Sequence, residues 1–460
     1  MSEDFARIFK AYDIRGLVDK ELTNQLAFST GVAFARFLEI QREPGTVIIG
    51  EDMRPSSPTL ADAFASGVTS QGLDCIRIGL ASTDMLYFAA GKLGFPGAMF
   101  TASHNPAEYN GIKLCLSGAR PIGKETGLQL IEKFVREGVP LVTRPIGTEN
   151  QRDMLNEYVE YLFKLVDLSN LRKLKIVIDA GNGMAGHTAP AVFEKLNAEV
   201  IPMYFELDGT FPNHEANPID EANLKDLKRA VKNENADIGL AFDGDADRCF
   251  LVDESGEAVN PSLLTALIAD RELGKHPGAS IIYNLISSRA VKEVITERGG
   301  QALRSRVGHS YIKALMAESG AVFGGEHSGH FYFADFWRAD SGMLAALHAI
   351  AALGSSKKSL SQLLKPYARY VPSGEINSKV KDGSGKIQEL KSSFQPGQPN
   401  NLKLEVQELD ELDGLSVIGD SWWFNVRASN TEPLLRLNVE AKTQAQMAKI
   451  RDALLKVIRA

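Results

Sequence analysis

Three kinds of feature are scarce in this sequence, and each scarcity argues against a class of protein. Only three cysteines occur among 460 residues, and Cys75, Cys115 and Cys249 form no paired spacing. A disulfide framework is therefore not expected, and a reducing cytoplasm is. No apolar run approaches the ~18 residues of a membrane helix, and the charged start, MSEDFARIFKAYDIRG, lacks the apolar core of a secretory signal.

Positive charge is also in short supply. Lysine and arginine number 51 against 58 aspartates and glutamates, which gives a formal net charge of −7. An acidic balance argues against nucleic acid or an anionic membrane surface as a partner. A small anionic substrate held by a local basic cluster remains compatible with it.

Short apolar runs alternate with longer amphipathic segments along most of the chain. TVIIG (Thr46–Gly50), LKIVIDA (Leu174–Ala180) and SIIYNLI (Ser280–Ile286) have the composition of buried strands. NQLAFSTGVAFARFLEIQ and GMLAALHAIAAL carry apolar residues at helical spacing. This alternation predicts α/β units with largely parallel sheets.

The length predicts several domains, at roughly 150 residues each. Polar stretches rich in glycine or proline, such as RPIGTENQRD and VDESGEAVNP, are typical of boundaries. The final unit differs from the others and reads as a smaller α+β domain. The predicted domains span residues 1–148, 149–253, 254–366 and 367–460.

The first candidate for chemistry is Ser103, in the stretch MFTASHNPAEYNGIK (Met99–Lys113). Serine followed by polar residues and a proline is common in loops, where its hydroxyl bonds nearby backbone. The same residue is equally suited to act as a nucleophile or to carry a transferred group. The stretch alone leaves both interpretations open.

The stretch DGDADR places Asp243, Asp245 and Asp247 at alternate positions, where their carboxylates can converge on one hard divalent cation. An EF-hand loop is an alternative, because its twelfth position from Asp243 is also acidic, at Glu254. Arg248 stands where that loop needs glycine, however. The flanking IGLAF and CFLVD read as strands, which favours a hairpin with a magnesium loop, and a solvated acidic turn is the remaining alternative.

Two further stretches have the composition of ligand-binding loops. GGEHSGH offers a carboxylate, a hydroxyl and two imidazoles among glycines, which suits hydrogen bonds to sugar hydroxyls. VRASNTEP offers a guanidinium, hydroxyls and an amide, which suit phosphate oxygens. A helix N-cap at SNTEP is disfavoured because the following LLRLNVE reads as a strand. The candidate residues are Glu326, His327, Ser328 and His330 in the first loop and Arg427, Ser429, Asn430 and Thr431 in the second.

A glycine-rich turn suggests a different chemistry. Gly181, Gly183 and Gly186 follow the strand LKIVI with the G-x-G-x-x-G spacing of a dinucleotide-binding turn. The alternative is a tight strand-to-helix turn that needs glycine for its geometry alone. An oxidoreductase is therefore kept as a competing hypothesis.

Taken together, a serine, a metal loop, a polyol loop and a phosphate clamp are the components of phosphoryl transfer on a sugar phosphate. The motifs TASHNP, DGDADR, GEHSGH and RASNTEP, with FKAYDIRG (Phe9–Gly16), stand in the order of the α-D-phosphohexomutase family. The chain resembles the bacterial phosphomannomutase/phosphoglucomutase branch of that family over essentially its whole length. The resemblance implies a heart-shaped enzyme, with three related mixed α/β domains and a smaller C-terminal domain around one cleft.

The resemblance also implies a mechanism. Ser103 matches the family's phosphorylated serine, and its phosphate is expected to hold one Mg²⁺ together with Asp243, Asp245 and Asp247. A hexose 1-phosphate would bind with its phosphate in the Arg427–Thr431 clamp, and its O6 would attack phospho-Ser103. The resulting hexose 1,6-bisphosphate would turn over in the cleft and return a phosphate to Ser103, which leaves hexose 6-phosphate. Domain IV is expected to rotate and close on the ligand.

Further residues match family positions around the reacting phosphate. Lys113 is expected to act as the general acid/base, with a pKa lowered by neighbouring cations. His309 is the second candidate for that role, and a packed or capping histidine is its alternative. Glu326 and Ser328 would bond two sugar hydroxyls. Arg248 and Arg15 would lie beside the reacting phosphate, and the remaining expected substrate contacts are Tyr12, His104, His327 and His330.

The chain departs from the family at two positions. Ile286, in NLISSR, replaces a lysine of many relatives, and Arg289 or His327 would have to compensate for it. His327 stands where several dual-specificity relatives have methionine and where phosphoglucosamine mutases often have glutamine. The expected substrates are mannose phosphates, with glucose phosphates left open. An amino-sugar mutase and a non-catalytic sugar-phosphate binder are the alternatives, and the chain is expected to be a monomer or weak homodimer.

Overall fold

The computed structural model describes residues 5–140, 142–398, 400, 402–428 and 434–460. Its strands form four sheets that follow one another along the chain, and we call the corresponding units domains I to IV. The first three are mixed sheets flanked by helices, as the alternation of apolar and amphipathic segments predicts. The fourth is a five-stranded antiparallel sheet with two helices.

Domain I contains a seven-stranded sheet with the order β1-β5-β4-β2-β3-β7, in which β6 pairs with β5. Its centre, β4-β2-β3, is parallel, and β5 runs antiparallel to β4. The strands are β1 (Ile14–Leu17), β2 (Thr46–Glu51), β3 (Asp74–Leu80), β4 (Gly97–Phe100), β5 (Tyr109–Leu116), β6 (Arg120–Pro121) and β7 (Glu149–Gln151). The helices are α1 (Phe5–Ile8), α2 (Asn24–Gln41), α3 (Ser57–Ser70), α4 (Thr83–Leu93) and α5 (Gln129–Glu137).

Domain II contains a five-stranded sheet with the order β12-β11-β10-β8-β9. The strands β8, β9 and β10 are parallel, and β10 and β11 form the antiparallel hairpin predicted around DGDADR. The strands are β8 (Leu174–Asp179), β9 (Ala198–Met203), β10 (Ile238–Phe242), β11 (Cys249–Asp253) and β12 (Ala258–Val259). The helices are α6 (Leu155–Leu165), α7 (Ala185–Phe193) and α8 (Lys225–Glu234).

Domain III contains a sheet with the order β14-β13-β15-β16-β17, parallel across β14-β13-β15 and antiparallel beyond. The strands are β13 (Ser280–Asn284), β14 (Gln301–Ser305), β15 (Phe323–Gly325), β16 (Phe331–Phe333) and β17 (Ala339–Asp340). The helices are α9 (Pro261–Lys275), α10 (Arg289–Glu297), α11 (His309–Ser319), α12 (Gly342–Gly354) and α13 (Leu360–Leu364).

Domain IV contains an antiparallel sheet with the order β18-β22-β21-β20-β19. The strands are β18 (Val371–Lys379), β19 (Glu408–Asp410), β20 (Leu415–Ile418), β21 (Trp422–Ala428) and β22 (Leu434–Ala441), and the helices are α14 (Gly383–Ser393) and α15 (Gln444–Arg459). The predicted strand LLRLNVE is therefore confirmed as β22. The predicted domain boundaries stay predictions; the first falls at the start of β7, which pairs with β3.

The apolar core is distributed unevenly among the domains. One continuous cluster joins buried residues of domains I, II and III, including Phe88 of α4, Tyr158 of α6 and Leu344 of α12. Domain IV has a separate core of its own. A small cluster around Ile286 and Trp423 connects domains III and IV. None of the helices in the described part of the chain is long and apolar enough to cross a membrane.

Candidate active site

Ser103 lies in the loop between β4 and β5, at the C-terminal end of a parallel strand. It is 2% exposed, and its φ of 52° is in the left-handed region that residues other than glycine rarely adopt. Its backbone N–H donates to Thr101 Oγ1 at 2.9 Å, and its hydroxyl donates to Asp243 Oδ2 at 2.8 Å. The hydroxyl therefore bonds one of the three predicted aspartates, in domain II, whereas the hydroxyl of a turn serine would bond the local backbone.

A guanidinium that the sequence analysis did not single out holds this loop. Arg54 donates from Nη1 to the carbonyls of Pro106 and Tyr109, each at 2.8 Å. Its Nη2 donates to the carbonyls of Ser103 at 3.0 Å and Asn105 at 2.7 Å. Four carbonyls on one fixed fork over-determine the loop and can sustain the unusual backbone of Ser103.

Arg54 is itself fixed by its surroundings. The side chains of Arg54 and Asp52 are both 0% exposed, with 3.3 Å between Arg54 Nε and Asp52 Oδ2. The ring of Phe211, from domain II, lies 5.1 Å from the guanidinium carbon. A buried guanidinium with a carboxylate partner and several carbonyl acceptors is a stable arrangement only as a complete set. Domain I therefore positions Ser103 through a network of which the serine motif is one part.

The three predicted aspartates converge next to Ser103. Asp243, Asp245 and Asp247 are at most 1% exposed, and one carboxylate oxygen from each lies within 4.8 Å of the others. Asp245 Oδ2 accepts from Thr83 Oγ1 at 2.6 Å, at the start of α4. Asp245 Oδ1 has no hydrogen-bond partner among the described residues. Buried carboxylates this close together repel one another unless cations neutralise them.

Glycines allow the loops of domains I and II to approach each other. A Cβ on Gly244 would lie 2.3 Å from the carbonyl oxygen of Ser103, and one on Gly183 would lie 2.7 Å from the carbonyl oxygen of Gly244. A Cβ on Gly186 would lie 2.2 Å from the carbonyl oxygen of Phe205. Close packing thus accounts for Gly183 and Gly186 of the G-x-G-x-x-G stretch. This supports the interpretation as a tight turn over that of a dinucleotide-binding turn.

The environment of Lys113 is the opposite of the expected one. Its Nζ donates to Asp245 Oδ2 and to Asp247 Oδ2, each at 2.7 Å. Burial lowers the pKa of Lys113, but the two carboxylates outweigh it and raise the pKa well above its ordinary value. The expected lowered pKa is therefore wrong for the protein in this form, because anions rather than cations surround the amine. The ammonium supplies positive charge to the aspartate cluster.

Arg248 joins the metal loop to the serine loop, and its expected place beside the reacting phosphate stays a prediction. Its Nη2 lies 3.5 Å from Ser103 Oγ and also bonds His104 Nδ1. Its Nε lies 3.3 Å from Asp243 Oδ2. The neighbouring Arg248 charge and burial hold the pKa of His104 well below its ordinary value, so that the imidazole is neutral and accepts from Arg248 at Nδ1.

Arg15 and Tyr12 extend the site from the first motif. Arg15 Nη1 bonds the side chain of Asn105, two residues after Ser103, and Nη2 bonds Asp13 Oδ2 at 2.5 Å. Tyr12 lies against domain III: a Cβ on Gly308 would be 2.5 Å from its hydroxyl oxygen. Burial, with nearby anionic groups, raises the pKa of Tyr12 to about 12. Arg15 thus contacts the loop of Ser103, and the expected substrate contact of Tyr12 stays a prediction.

The loop after β15 brings the sugar-binding candidates together. Glu326 is 2% exposed; its Oε1 accepts from Gly308 N at 3.0 Å, and its Oε2 accepts from the Tyr332 hydroxyl at 2.7 Å. Ser328 Oγ and His330 Nδ1 lie 2.9 Å apart. His330 Nε2 is 3.5 Å from Asp247 Oδ1, which places this histidine beside the metal loop as well as the sugar loop.

The structure distinguishes between the two residues expected to compensate for Ile286. Arg289 points elsewhere, since its Nη1 donates to the carbonyl of Gly419 at 3.0 Å and its guanidinium lies 5.3 Å from the Tyr370 ring. His327 lines the same cavity as Ile286. Arg289 is thus engaged by domain IV, and His327 is a buried imidazole whose pKa is lowered by burial. Compensation for the missing lysine stays a prediction.

The phosphate clamp is described only at its first residue. Arg427 is the last residue but one of β21, is 8% exposed, and donates from Nη2 to Glu375 Oε2 at 2.8 Å. Ser429, Asn430 and Thr431 lie outside the described residues, as does the side chain of His309, whose backbone begins α11. The expected roles of these residues stay predictions.

The arrangement combines an oriented hydroxyl, a buried carboxylate cluster and a ring of cations. Arg54 and Arg248 contact Ser103 itself. Arg15 bonds an asparagine of the same loop, and Lys113 bonds two of the aspartates. Such a site can stabilise the charge on a phosphoryl group, while the polar loop of domain III provides hydrogen bonds to a polyol. The geometry is that of a phosphoryl-transfer site.

Comparison with known proteins agrees with this geometry. Models of the phosphoglucomutase/phosphomannomutase family match four successive segments of the chain. Alpha/beta/alpha domains I, II and III match residues 6–139, 156–256 and 260–370, and the C-terminal domain matches residues 375–457.

Individual relatives cover nearly the whole chain. A phosphomannomutase of Salmonella typhimurium is 38% identical over 456 residues, 97% of each chain. A phosphohexose mutase of Xanthomonas campestris is 39% identical over 445 residues, 96% of this chain and 97% of its own. A crystal structure of a phosphoglucomutase/phosphomannomutase family protein from Burkholderia thailandensis has a TM-score of 0.88 at 34% identity and covers 98% and 97% of the two chains.

The chain belongs to the phosphoglucomutase/phosphomannomutase family of phosphohexomutase enzymes. The four-domain fold expected from the sequence is thereby confirmed.

Proposed function

We propose that this enzyme interconverts hexose 1-phosphate and hexose 6-phosphate, with Ser103 as the phosphate carrier and mannose as the preferred hexose. The contact that carries the proposal is the 2.8 Å hydrogen bond from Ser103 Oγ to Asp243 Oδ2. Among the described residues, Ser103 is the one hydroxyl of the TASHNP loop that bonds an aspartate of the metal loop. The names of the relatives, phosphomannomutase and phosphohexose mutase, support this choice of reaction and sugar.

The aspartate cluster fits a divalent cation. Three buried carboxylates, with Asp245 Oδ1 left without a hydrogen bond among the described residues, form an oxygen donor set that is under-neutralised by Lys113 and Arg248. Asp243, Asp245 and Asp247 would hold Mg²⁺, together with an oxygen of the phosphate on Ser103. When bound, the ion would neutralise charge on the transferred phosphoryl group.

The protein's own residues position the phosphate. Arg54 fixes the loop of Ser103 through four carbonyls, so that the phosphate faces one direction. Arg248, 3.5 Å from the Ser103 hydroxyl, is placed to bond its oxygens. Lys113 is held in its protonated form by Asp245 and Asp247, and we assign it an electrostatic part, as a fixed positive charge beside the aspartate cluster.

The sugar is oriented by domains III and IV. Arg427 and the residues after it would bind the phosphate that is not being transferred. Glu326 and Ser328 would bond hydroxyls of the ring. Attack by O6 on phospho-Ser103 forms the new O–P bond as the Oγ–P bond of Ser103 breaks, and it gives a hexose 1,6-bisphosphate. In the same step O6 loses its hydroxyl proton and Ser103 Oγ gains one, so that the serine hydroxyl is restored with no net change in protons. After this intermediate reverses its orientation, Ser103 attacks the phosphate at C1, and hexose 6-phosphate leaves.

A phosphorus NMR time course tests this proposal. The protein is mixed with Mg²⁺, a trace of glucose 1,6-bisphosphate and either mannose, glucose or N-acetylglucosamine 1-phosphate. We expect a 6-phosphate signal to grow first in the mannose tube and to be absent with Ser103→Ala. Growth in the amino-sugar tube alone would move the enzyme to the amino-sugar branch, and no growth in any tube would contradict the proposal.

A further inference from the structure

A cavity lies between domains III and IV, next to the strand that leads into the phosphate clamp. The residues that matter for its chemistry are Ile286, Ser288 and His327 from domain III and Trp423, Asn438 and Glu440 from domain IV. Trp423 and Arg427 are four residues apart on β21 and therefore lie on the same face of the sheet. A sugar phosphate held at Arg427 thus has the cavity beside it, along the strand.

Two polar atoms at this cavity are buried without a partner. His327 Nδ1 and Asn438 Nδ2 have no hydrogen bond to any described residue. Asn438 is 5% exposed, so water has little access to its amide. Unpaired buried polar atoms are costly to a fold and are often retained where a ligand completes them. Both residues line the same cavity, although they come from different domains.

The charge at the cavity argues against an ionic ligand group. Glu440 is the charged side chain among the lining residues, and both its oxygens already accept hydrogen bonds. Its Oε1 accepts from Ser288 Oγ, and its Oε2 accepts from Arg289 N at 3.0 Å and from Trp423 Nε1. Burial lowers the pKa of His327, which keeps its imidazole neutral. The described residues that line the cavity include no lysine or arginine, so a phosphate in the cavity would face the Glu440 carboxylate directly.

The available hydrogen-bonding atoms match a hydroxyl. The amide Nδ2 of Asn438 can only donate, whereas a neutral imidazole accepts at Nδ1 when its proton is on Nε2. A hydroxyl oxygen can accept from Asn438 and donate its proton to His327 at the same time. The apolar faces of Ile286 and Trp423 complete a wall suited to the C–H edge of a sugar ring.

We propose that His327 and Asn438 form a subsite for one uncharged ring hydroxyl of the hexose, completed when domain IV packs on domain III. This inference rests on the proposed function and adds a specificity-determining pair to it. Asn438 was not among the residues that the sequence suggested. The pair recognises a sugar hydroxyl beside Ile286, in a cavity that no described lysine or arginine lines.

Monodeoxy substrates test the subsite. Turnover of 2-deoxy-, 3-deoxy- and 4-deoxy-hexose 1-phosphates is compared with that of the parent sugar, for the unmodified enzyme, His327→Met and Asn438→Leu. The unmodified enzyme should disfavour each deoxy sugar that lacks a bonded hydroxyl, and for one of them we expect a loss of about 10-fold in kcat/KM, the scale of one hydrogen bond, that depends on His327 and Asn438. In both variants that ratio should fall to within about 2-fold.

Two further variants separate a specific contact from general damage. His327→Gln keeps a polar atom in the cavity and should preserve part of the discrimination. His276→Met alters a histidine at the end of α9, outside the cavity, and should leave the ratio unchanged. Turnover with the same discrimination in every variant would overturn the subsite and leave the proposed function standing. No turnover of any hexose phosphate by the unmodified enzyme would overturn both.

Discussion

The serine–metal region and the junction of domains III and IV are built in opposite ways. Around Ser103, domains I, II and III share one apolar core, and Arg54, Lys113 and Asp245 are bonded in several directions at once. The junction with domain IV has a small apolar cluster and otherwise polar contacts. Among these are Arg304 with Asp410, Arg289 with the Gly419 carbonyl, and Glu440 with the start of α10.

This difference separates two tasks. Phosphoryl transfer needs fixed positions for the carrier and its charges, and a continuous core resists displacement. Reorientation of a bisphosphate needs space to be made and closed again, and a polar interface can be broken and remade at little cost. We infer that the fixed half performs the chemistry and that domain IV is the half that moves. Rotation of domain IV stays a prediction.

The largest effect is expected in the fixed half, from removing the carrier. Ser103→Ala should lower kcat about 10⁴-fold or more, because no other described hydroxyl bonds Asp243. Ser117→Ala, at the far end of β5, is the matched control. Steady-state turnover of mannose 1-phosphate measures both, and a Ser103→Ala enzyme within tenfold of the unmodified one would show that Ser103 is not the carrier.

The next effect concerns the support of the carrier. Arg54→Lys keeps the charge but loses the fork that reaches four carbonyls, so Ser103 should lose its fixed direction. We expect kcat to fall about 10²-fold, the scale of a misplaced reacting group, with a much smaller change in KM. Arg152→Lys, an exposed arginine, serves as the control. Equal losses in kcat for the two variants would refute the positioning role.

A third prediction concerns the buried carboxyl that joins domains I, II and III. Asp84 accepts from the Tyr158 hydroxyl at 2.7 Å and from Ser341 Oγ at 2.6 Å. Burial raises the pKa of Asp84 from its ordinary 3.8 to about 6. The folded protein therefore holds this proton more tightly than the unfolded chain, and the stabilisation is complete below pH ~4 and lost as the pH rises through ~6.

Asp84→Asn isolates this contribution, because asparagine does not titrate. The difference in unfolding free energy between the unmodified protein and the variant should fall by about 3 kcal/mol as the pH rises through that window. Denaturant titrations at several pH values measure it. A difference that stays constant with pH would mean that Asp84 titrates at its ordinary pKa in the folded protein.

The smallest of these effects is expected at the junction of domains III and IV. Glu440→Gln places an amide donor against the donors of Ser288, Arg289 and Trp423. The closed arrangement should be weakened, and we expect KM to rise about 10-fold with a smaller change in kcat. Small-angle scattering should also report a larger radius of gyration. Glu405→Gln, on an exposed position of domain IV, is the control, and indistinguishable scattering would argue against this contact as a latch.

The sequence predicted most of what is local. The strand composition and helical spacing of segments such as Leu174–Ala180 located their elements, because burial periodicity is a property of the segment itself. The three aspartates were singled out for the same reason, since their alternate spacing lies within a few residues. The stretch around Ser103 left a turn serine open, and its expected role came from the family resemblance. The structure adds that two loops of different domains meet through Gly244.

What the sequence could not predict depends on contacts between distant segments. Arg54 acts on backbone carbonyls about fifty positions away, and carbonyls leave no trace in side-chain composition. The pKa of Lys113 was predicted in the wrong direction because its carboxylate partners come from domain II. Arg289 is near Ile286 in sequence, but its guanidinium bonds a carbonyl of domain IV, a contact that the sequence does not reveal. Only the assembled domains show such neighbours.

The central claim is that Ser103 carries the phosphate that is transferred. The most direct measurement is to treat the protein with Mg²⁺ and glucose 1,6-bisphosphate, digest it, and locate the phosphate by mass spectrometry before and after adding excess hexose 1-phosphate. We predict phosphate on Ser103 before the addition and its transfer to the sugar afterwards. An active enzyme whose Ser103 never carries phosphate, or carries it without transferring it, would contradict the account.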